Sequence, residues 1–182
     1  MHATGRTSRP SSTPPLPVQP IGVVLDAGCG TGLCGPLLRA NCERLVGVDL
    51  SPQMIERAKA RACYDELAVG ELSSFMRSRA GVFDAVVSAD TLVYFGALEE
   101  PLSAARTALC DAGLLIFTLE SLPAESSDDF RLEDHGRYAH SERYIQSTLA
   151  DYGFSLMTLS HATLREERGK PVDGVIVVSR KS

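Results

Sequence analysis

The sequence predicts a doubly wound α/β fold: a mostly parallel seven-stranded sheet, helices on both faces, and an antiparallel final strand. Three observations carry that expectation. From residue 21 onward, short β-branched and apolar runs alternate with amphipathic segments, as parallel strands joined by right-handed helical crossovers require. The first run ends in three closely spaced glycines, LDAGCGTG at residues 25–32, where a strand hands over to a helix. The last two runs are separated only by the charged turn REERGKP, so they are expected as antiparallel neighbours.

In chain order, IGVVLDA (21–27) reads as the first buried strand and LCGPLLRAN (33–41) as a helix with Gly35-Pro36 near its first turn, where proline is tolerated. RLVGVDL (44–50) is the second strand. SPQMIERAKARA (51–62) carries a helix start, Ser51 as cap and Pro52 first inside. ELAVGEL (66–72) is a third strand running into a helix, and VFDAVVSAD (82–90) a fourth strand. ALEEPLSAARTALCDAG (97–113) is an amphipathic helix closed by Gly113, followed by the strand LLIFTLES (114–121). A polar loop covers 122–140, a helix starts near Ser141 and stops before Gly153, and FSLMTLSHATL (154–164) and VDGVIVVSR (172–180) are the last strands. Residues 1–20, rich in Ser, Thr and Pro, are expected to be a flexible leader, with one domain over 21–182.

Composition narrows the function. A net charge of -5 without a dense Lys/Arg run argues against a nucleic-acid partner, which needs a basic face. No apolar stretch reaches the ~20 residues that span a bilayer. Five scattered cysteines without a CxxC suggest neither a zinc site nor a disulfide framework, and fit a reducing, cytoplasmic setting. No metal is expected.

A glycine-rich turn after a first strand serves several ligands. The dinucleotide fingerprint GxGxxG needs a third glycine where Leu33 stands, and the phosphate-loop pattern needs a lysine this loop lacks. The acids decide. Asp26, Asp49, Glu71 and Asp90 fall at the ends of four successive strands, a rim that repels pyrophosphate and suits a ligand carrying positive charge. Asp49 lies 21 residues after Gly28, the spacing at which an acid meets ribose hydroxyls.

VLDAGCGTG, LVGVDLSPQM, AVGEL, FDAVVSADTLVYF and GLLIFTLE, in that order over residues 21–180, resemble the motif series of the class I S-adenosylmethionine-dependent methyltransferases. TGLCGPLL, YDELAVGEL, ADTLVYFG and HGRYAHS more narrowly resemble predicted methyltransferases associated with tetratricopeptide repeats, although no repeat occurs here. The resemblance implies a methyl donor, S-adenosylmethionine, leaving as S-adenosylhomocysteine. Gly28, Cys29, Gly30 and Gly32 would approach its methionine part, with Asp26 facing the ammonium group. Asp49 would accept from the ribose hydroxyls, Leu50 and Met54 would pack on the adenine, and Glu71, with the backbone of Leu72, would meet the adenine amino group. Ala89 and Asp90 would complete the rim.

For the acceptor, the place after strand four reads SADTLVYF, without the Asn/Asp-Pro-Pro-aromatic loop of nucleobase amino-group methylation, and no Pro-Cys nucleophile is present. A small-molecule acceptor, by oxygen or carboxylate, is the favoured expectation. A binding module without chemistry, or protein and peptide methylation, stands as the alternative. Tyr94 and, in the loop HGRYAHS, Arg137, Tyr138 and His140 are the acceptor-side candidates: Arg137 to hold an anionic group, Tyr138 to stack, His140 as base or positioner. Relatives in this family have helices before strand one. Here only the Pro/Ser-rich leader precedes it, so a second subunit or a partner is a candidate cover.

Overall fold

A computed structural model describes residues 19–167 and 169–182. The expected leader, apart from Gln19 and Pro20, lies outside the described residues. The strands are β1 (Ile21–Ala27), β2 (Cys42–Asp49), β3 (Glu66–Val69), β4 (Phe83–Ser88), β5 (Leu109–Ser121), β6 (Phe130–Leu132), β7 (Tyr138–His140), β8 (Phe154–Glu167) and β9 (Lys170–Lys181). Between them run α1 (Gly35–Arg39), α2 (Pro52–Lys59), α3 (Leu72–Arg77), α4 (Glu99–Ala108) and α5 (Glu142–Asp151), plus one 3-10 turn at Leu92–Tyr94.

The main sheet has the order β3-β2-β1-β4-β5-β9-β8. The first five of these strands are parallel, and β9 runs antiparallel to both β5 and β8. Beyond the seven expected strands, a short hairpin extends the end of β5. There β7 pairs parallel with Glu120 and Ser121, and β6 pairs antiparallel with β7. The expected polar loop over 122–140 is therefore partly a hairpin.

Local chemistry explains the helix starts. Ser51 caps α2 by accepting from the Met54 N–H, with Pro52 inside the first turn. Glu71 caps α3 from Ser73 and Ser74. Ser141 caps α5, its Oγ accepting from the Tyr144 N–H at 3.3 Å, and is itself buried. Ser141→Ala is expected to cost ~1 kcal/mol, measurable as a lower midpoint in urea unfolding without a change in slope.

The main core lies where α3, α4 and α5 pack on the sheet, around Phe83, Phe117, Leu119, Leu102 and Ile145. A smaller cluster around Val24, Leu45 and Ala85 forms beneath α1.

Two boundaries correct the sequence reading. The helix expected over 97–113 stops at Ala108, and Gly113 is not its left-handed cap. Leu109 turns extended, is fully buried and pairs with Phe83, so burial overrides the helical pattern of ALCDAG. The surplus residues form an irregularity before Leu114 pairs with Ala85, with Ala112 at φ 60°. The charged turn expected over 165–171 is also mostly strand. Arg165 pairs with Val172 and Glu167 with Lys170.

Candidate functional site

The carboxyl ends of β1, β2, β3 and β4 open on a cleft of about 690 Å³, within the usual range of small-molecule sites. Its floor is the glycine turn. The N–H groups of Gly28 and Cys29 both donate to the Val48 carbonyl at 2.9 Å, tying the turn to β2. Gly28 has φ 79°, and a Cβ there would lie 2.3 Å from Thr91 side-chain atoms. The Thr91 hydroxyl donates to the Gly28 carbonyl at 3.1 Å, so the loop after β4 locks the turn after β1.

Asp49 completes the floor. Its two carboxylate oxygens accept from the Gly30 and Ser51 N–H groups, each at 2.9 Å. One side chain thus holds both the glycine turn and the start of α2, it lines the cleft, and each oxygen keeps acceptor capacity beyond these bonds. Asp26 is 2% exposed and accepts a 2.7 Å hydrogen bond from the Tyr64 hydroxyl. Burial pushes its pKa up to about 6; the Tyr64 hydrogen bond opposes this and the charge of Asp49 adds to it.

Glu71 is committed in part to structure. Its oxygens accept from the Ser73 and Ser74 N–H groups at 2.8 and 2.7 Å. Partial burial raises its pKa, but those backbone hydrogen bonds outweigh it and hold the carboxyl below its ordinary range. Glu71 also lines the cleft.

Of the expected donor-site residues, Asp26, Gly28, Cys29, Gly30, Asp49, Leu50, Met54, Glu71, Leu72, Ala89 and Asp90 line this one cleft. Gly32 does not; it packs behind the wall against Arg61 and Tyr64. Leu50 is 72% and Leu33 70% exposed, so the cleft mouth is apolar.

The acceptor-side expectations divide. Tyr94 lines the cleft and is largely exposed. The Arg137 guanidinium stands 5.7 Å from the Tyr94 ring, 3.0 Å from Glu167 and 4.0 Å from Asp90. Arg137 therefore stands beside the cleft, behind Tyr94. Tyr138 and His140 lie off the cleft wall, a correction to their expected roles. Tyr138 packs edge-on to Phe130. His140 is fully buried, donates from Nε2 to the Gly96 carbonyl at 2.9 Å and stacks on Tyr144. Burial lowers its pKa against the pull of the Gly96 and Phe95 carbonyls and Glu120, so the ring is a neutral strut under the loop after Tyr94. Its place on β7, inside a hairpin instead of the expected polar loop, is the physical reason.

Three participants escaped the sequence reading as functional residues: Tyr64, Thr91 and Arg165. Arg165, on β8, bonds Asp90 at 2.8 Å and also the buried Glu120, and Glu120 lies 3.3 Å from His135. Asp90 sits at φ 54°, an uncommon conformation for a non-glycine residue, where the pairing with Arg165 anchors it. No local signal marks these residues, because their partners are 38, 63 and 75 positions away in the chain. Among the described residues, no group of three or more His, Cys, Asp or Glu could hold a metal ion, and no helix is long and apolar enough to cross a membrane.

A mostly parallel sheet in this order, with β9 antiparallel between β5 and β8 and a carboxylate-rimmed cleft over a glycine turn, has the class I methyltransferase architecture. Residues 25–117 match the family described as "Methyltransferase domain", and the chain belongs to that family, within the class I S-adenosylmethionine-dependent methyltransferases. Over 78 residues it is 44% identical to the magnesium-protoporphyrin O-methyltransferase of Rhodobacter capsulatus, covering 41% of this chain and 34% of that protein. Over 65 residues it is 38% identical to the 18S rRNA (guanine-N(7))-methyltransferase of Bos taurus, covering 36% of this chain and 23% of that protein. The chain thus spans about a quarter to a third of the length of these curated relatives. A crystal structure of a putative S-adenosylmethionine-dependent methyltransferase from Listeria monocytogenes shares the fold, with TM-score 0.69 at 18% identity over 92% of this chain and 93% of that one.

Proposed function

We propose that the cleft binds S-adenosylmethionine and that the protein transfers its methyl group to a small-molecule acceptor at an oxygen or carboxylate. One observation carries the reading: the acids and glycines scattered over residues 26–90 converge on one cleft of suitable size. The residues fit the donor. Asp26 is a buried carboxylate whose described partner is a neutral phenol, leaving its charge for an ammonium group. Asp49 has free lone pairs for ribose hydroxyls, and Leu50 and Met54 supply an apolar wall for adenine. Glu71 and the backbone of Leu72 stand at the adenine edge, and Ala89 and Asp90 at the reacting end.

Bound there, the donor supplies a sulfonium-activated methyl that a nucleophile can displace in line. The protein's part is placement and exclusion of water. The glycine turn fixes the methionine end, while Tyr94 and Phe95 narrow the opening after β4. Arg137, behind Tyr94, is the residue we assign to an anionic acceptor group. The acceptor is a small molecule rather than a nucleic acid in this reading, supported by the net charge of -5 and by the apolar cleft mouth. The five free thiols suit a reducing, cytoplasmic setting. The exposed Leu33 and Leu50 at the mouth favour one second reading, a peptide or protein acceptor.

Calorimetric titration with S-adenosylmethionine, S-adenosylhomocysteine and NAD tests the donor. Binding of NAD alone sinks the proposal. Asp49→Ala is expected to weaken S-adenosylhomocysteine binding by ~1.5–3 kcal/mol, the cost of removing hydrogen bonds to a charged acceptor. Unchanged affinity in the same titration removes the ribose assignment. Arg137→Ala is expected to leave donor affinity unchanged and to lower turnover of whichever acceptor a labelled-donor screen of cell metabolites identifies.

A further inference from the structure

We propose that Tyr64 is a positioning residue of the donor site, holding Asp26 in place and charged for the donor's ammonium group. The inference rests on the donor-site reading above and adds a residue outside the cleft wall.

Tyr64 lies between α2 and β3, and its ring occupies a slot cleared by glycines. A Cβ on Gly35 would come within 2.8 Å of the ring, one on Gly47 within 2.9 Å, and one on Gly32 within 3.1 Å. The ring fills the space those glycines leave, and its hydroxyl stands 2.7 Å from Asp26 Oδ2. Burial, and then the charge of Asp26, raise the phenol's own pKa far above its ordinary value, so it remains a proton donor at every relevant pH.

The groups facing Asp26 leave the hydroxyl decisive. From β2 comes Asp49, a like charge that disfavours ionisation. The thiols of Cys29 in the turn, Cys34 before α1 and Cys63 beside Tyr64 are all kept protonated, Cys29 with its pKa pushed up to about 12 by burial and by the two aspartates. Arg61, the cation on that side, turns its Nε to the Thr31 carbonyl at 3.3 Å. The Tyr64 hydrogen bond is thus what opposes burial and Asp49. Without it, Asp26 takes up a proton in the neutral range and presents an uncharged carboxyl to the ammonium group.

The test is the pH dependence of S-adenosylhomocysteine affinity from pH 5.5 to 8.5, by calorimetry, for the wild type and Tyr64→Phe. Wild-type affinity is expected to fall as pH drops through about 6. In Tyr64→Phe that fall moves up by about one pH unit, the order expected for losing one hydrogen bond to a carboxylate. Near pH 6.5 the variant then binds roughly 3-fold more weakly and near pH 5.5 roughly 8-fold, while near pH 8.5 the two nearly coincide. A uniform loss at every pH overturns the proposal, since a purely structural tyrosine would behave that way.

Carbon-13 NMR of the aspartate carboxyl groups, without added ligand, separates this proposal from the donor assignment. If wild type binds no S-adenosylhomocysteine, the donor reading fails, and the Asp26 titration still reports on Tyr64. A higher midpoint in the variant supports the positioning role, and an unmoved one overturns it. Should Tyr64→Phe not fold, 3-fluorotyrosine in the wild-type sequence strengthens the donor instead. The Asp26 midpoint must then fall, and a constant value overturns the proposal.

Discussion

Replacing Asp26 by asparagine is expected to make the protein more stable at neutral pH while abolishing tight binding of S-adenosylhomocysteine. Folding raises the pKa of this carboxyl from 3.8 to about 6, chiefly through burial. A carboxyl whose folded pKa is raised stabilises the fold below its unfolded value and loses that contribution as pH rises through the folded value. At ~1.4 kcal/mol per unit, ionised Asp26 costs the ligand-free protein on the order of 3 kcal/mol above pH 7. Asparagine keeps the shape, still accepts from Tyr64 and carries no charge. Thermal unfolding without added ligand should therefore show Asp26→Asn melting ~5–10 °C higher at pH 7.5, with the advantage shrinking toward pH 4. Titration of the same variant should show affinity lower by about 100-fold or more, because a buried ammonium has lost its counter-charge. Gained stability with lost binding is the signature of a charge kept for a ligand. Lower stability at pH 7.5 would contradict it.

Gly28→Ala carries the second large effect. The position has φ 79°, and the added methyl would lie 2.3 Å from both Cγ2 and Oγ1 of Thr91. The left-handed backbone costs about 1–2 kcal/mol for a residue with a Cβ, and a clash with a packed neighbour about 1–3 more. Thr91 cannot rotate away without giving up its hydrogen bond to the Gly28 carbonyl. We expect ~3 kcal/mol of destabilisation by denaturant unfolding and loss of donor binding. Two controls isolate the cause. Gly30→Ala, at φ 53° with no atom within 4 Å of the new methyl, should cost only the backbone share, about 1–2 kcal/mol. Thr91→Ala added to Gly28→Ala should recover part of the loss. Equal costs at Gly28 and Gly30 would show that Thr91 is not the obstacle.

The rim of the cleft was legible in the sequence because each of its parts is local. A strand that ends in an acid and a glycine places both at the sheet's carboxyl edge, whatever the rest of the chain does. Parallel topology then brings Asp26, Asp49, Glu71 and Asp90 to a common rim. Glu71 shows the limit of that logic: its position followed from the pattern, but its duty as the cap of α3 depended on where the helix began. The boundary at Ala108 was illegible for a related reason. ALCDAG continues a helical pattern, and pairing of Leu109 with Phe83, 26 residues back, overrides it.

The acceptor side was misread where its neighbours come from far along the chain. His140 was expected as base or positioner in a polar loop, yet β7 adds onto β5 and packs the ring against Gly96 and Tyr144. Arg165 looked like part of a solvated turn, yet β8 carries it to Asp90 and Glu120. The sequence by itself determined the alternation of strands and helices, the glycine turn at the floor of the cleft and the sign of the charge along its rim. These rest on backbone conformation and strand direction, which short stretches specify. Only the tertiary structure decided which distant groups meet that rim: Tyr64 at Asp26, Thr91 against Gly28 and Arg165 on Asp90. A hydrogen bond or a steric contact acts over a few ångströms, and no spacing rule records which distant residues folding will bring that close.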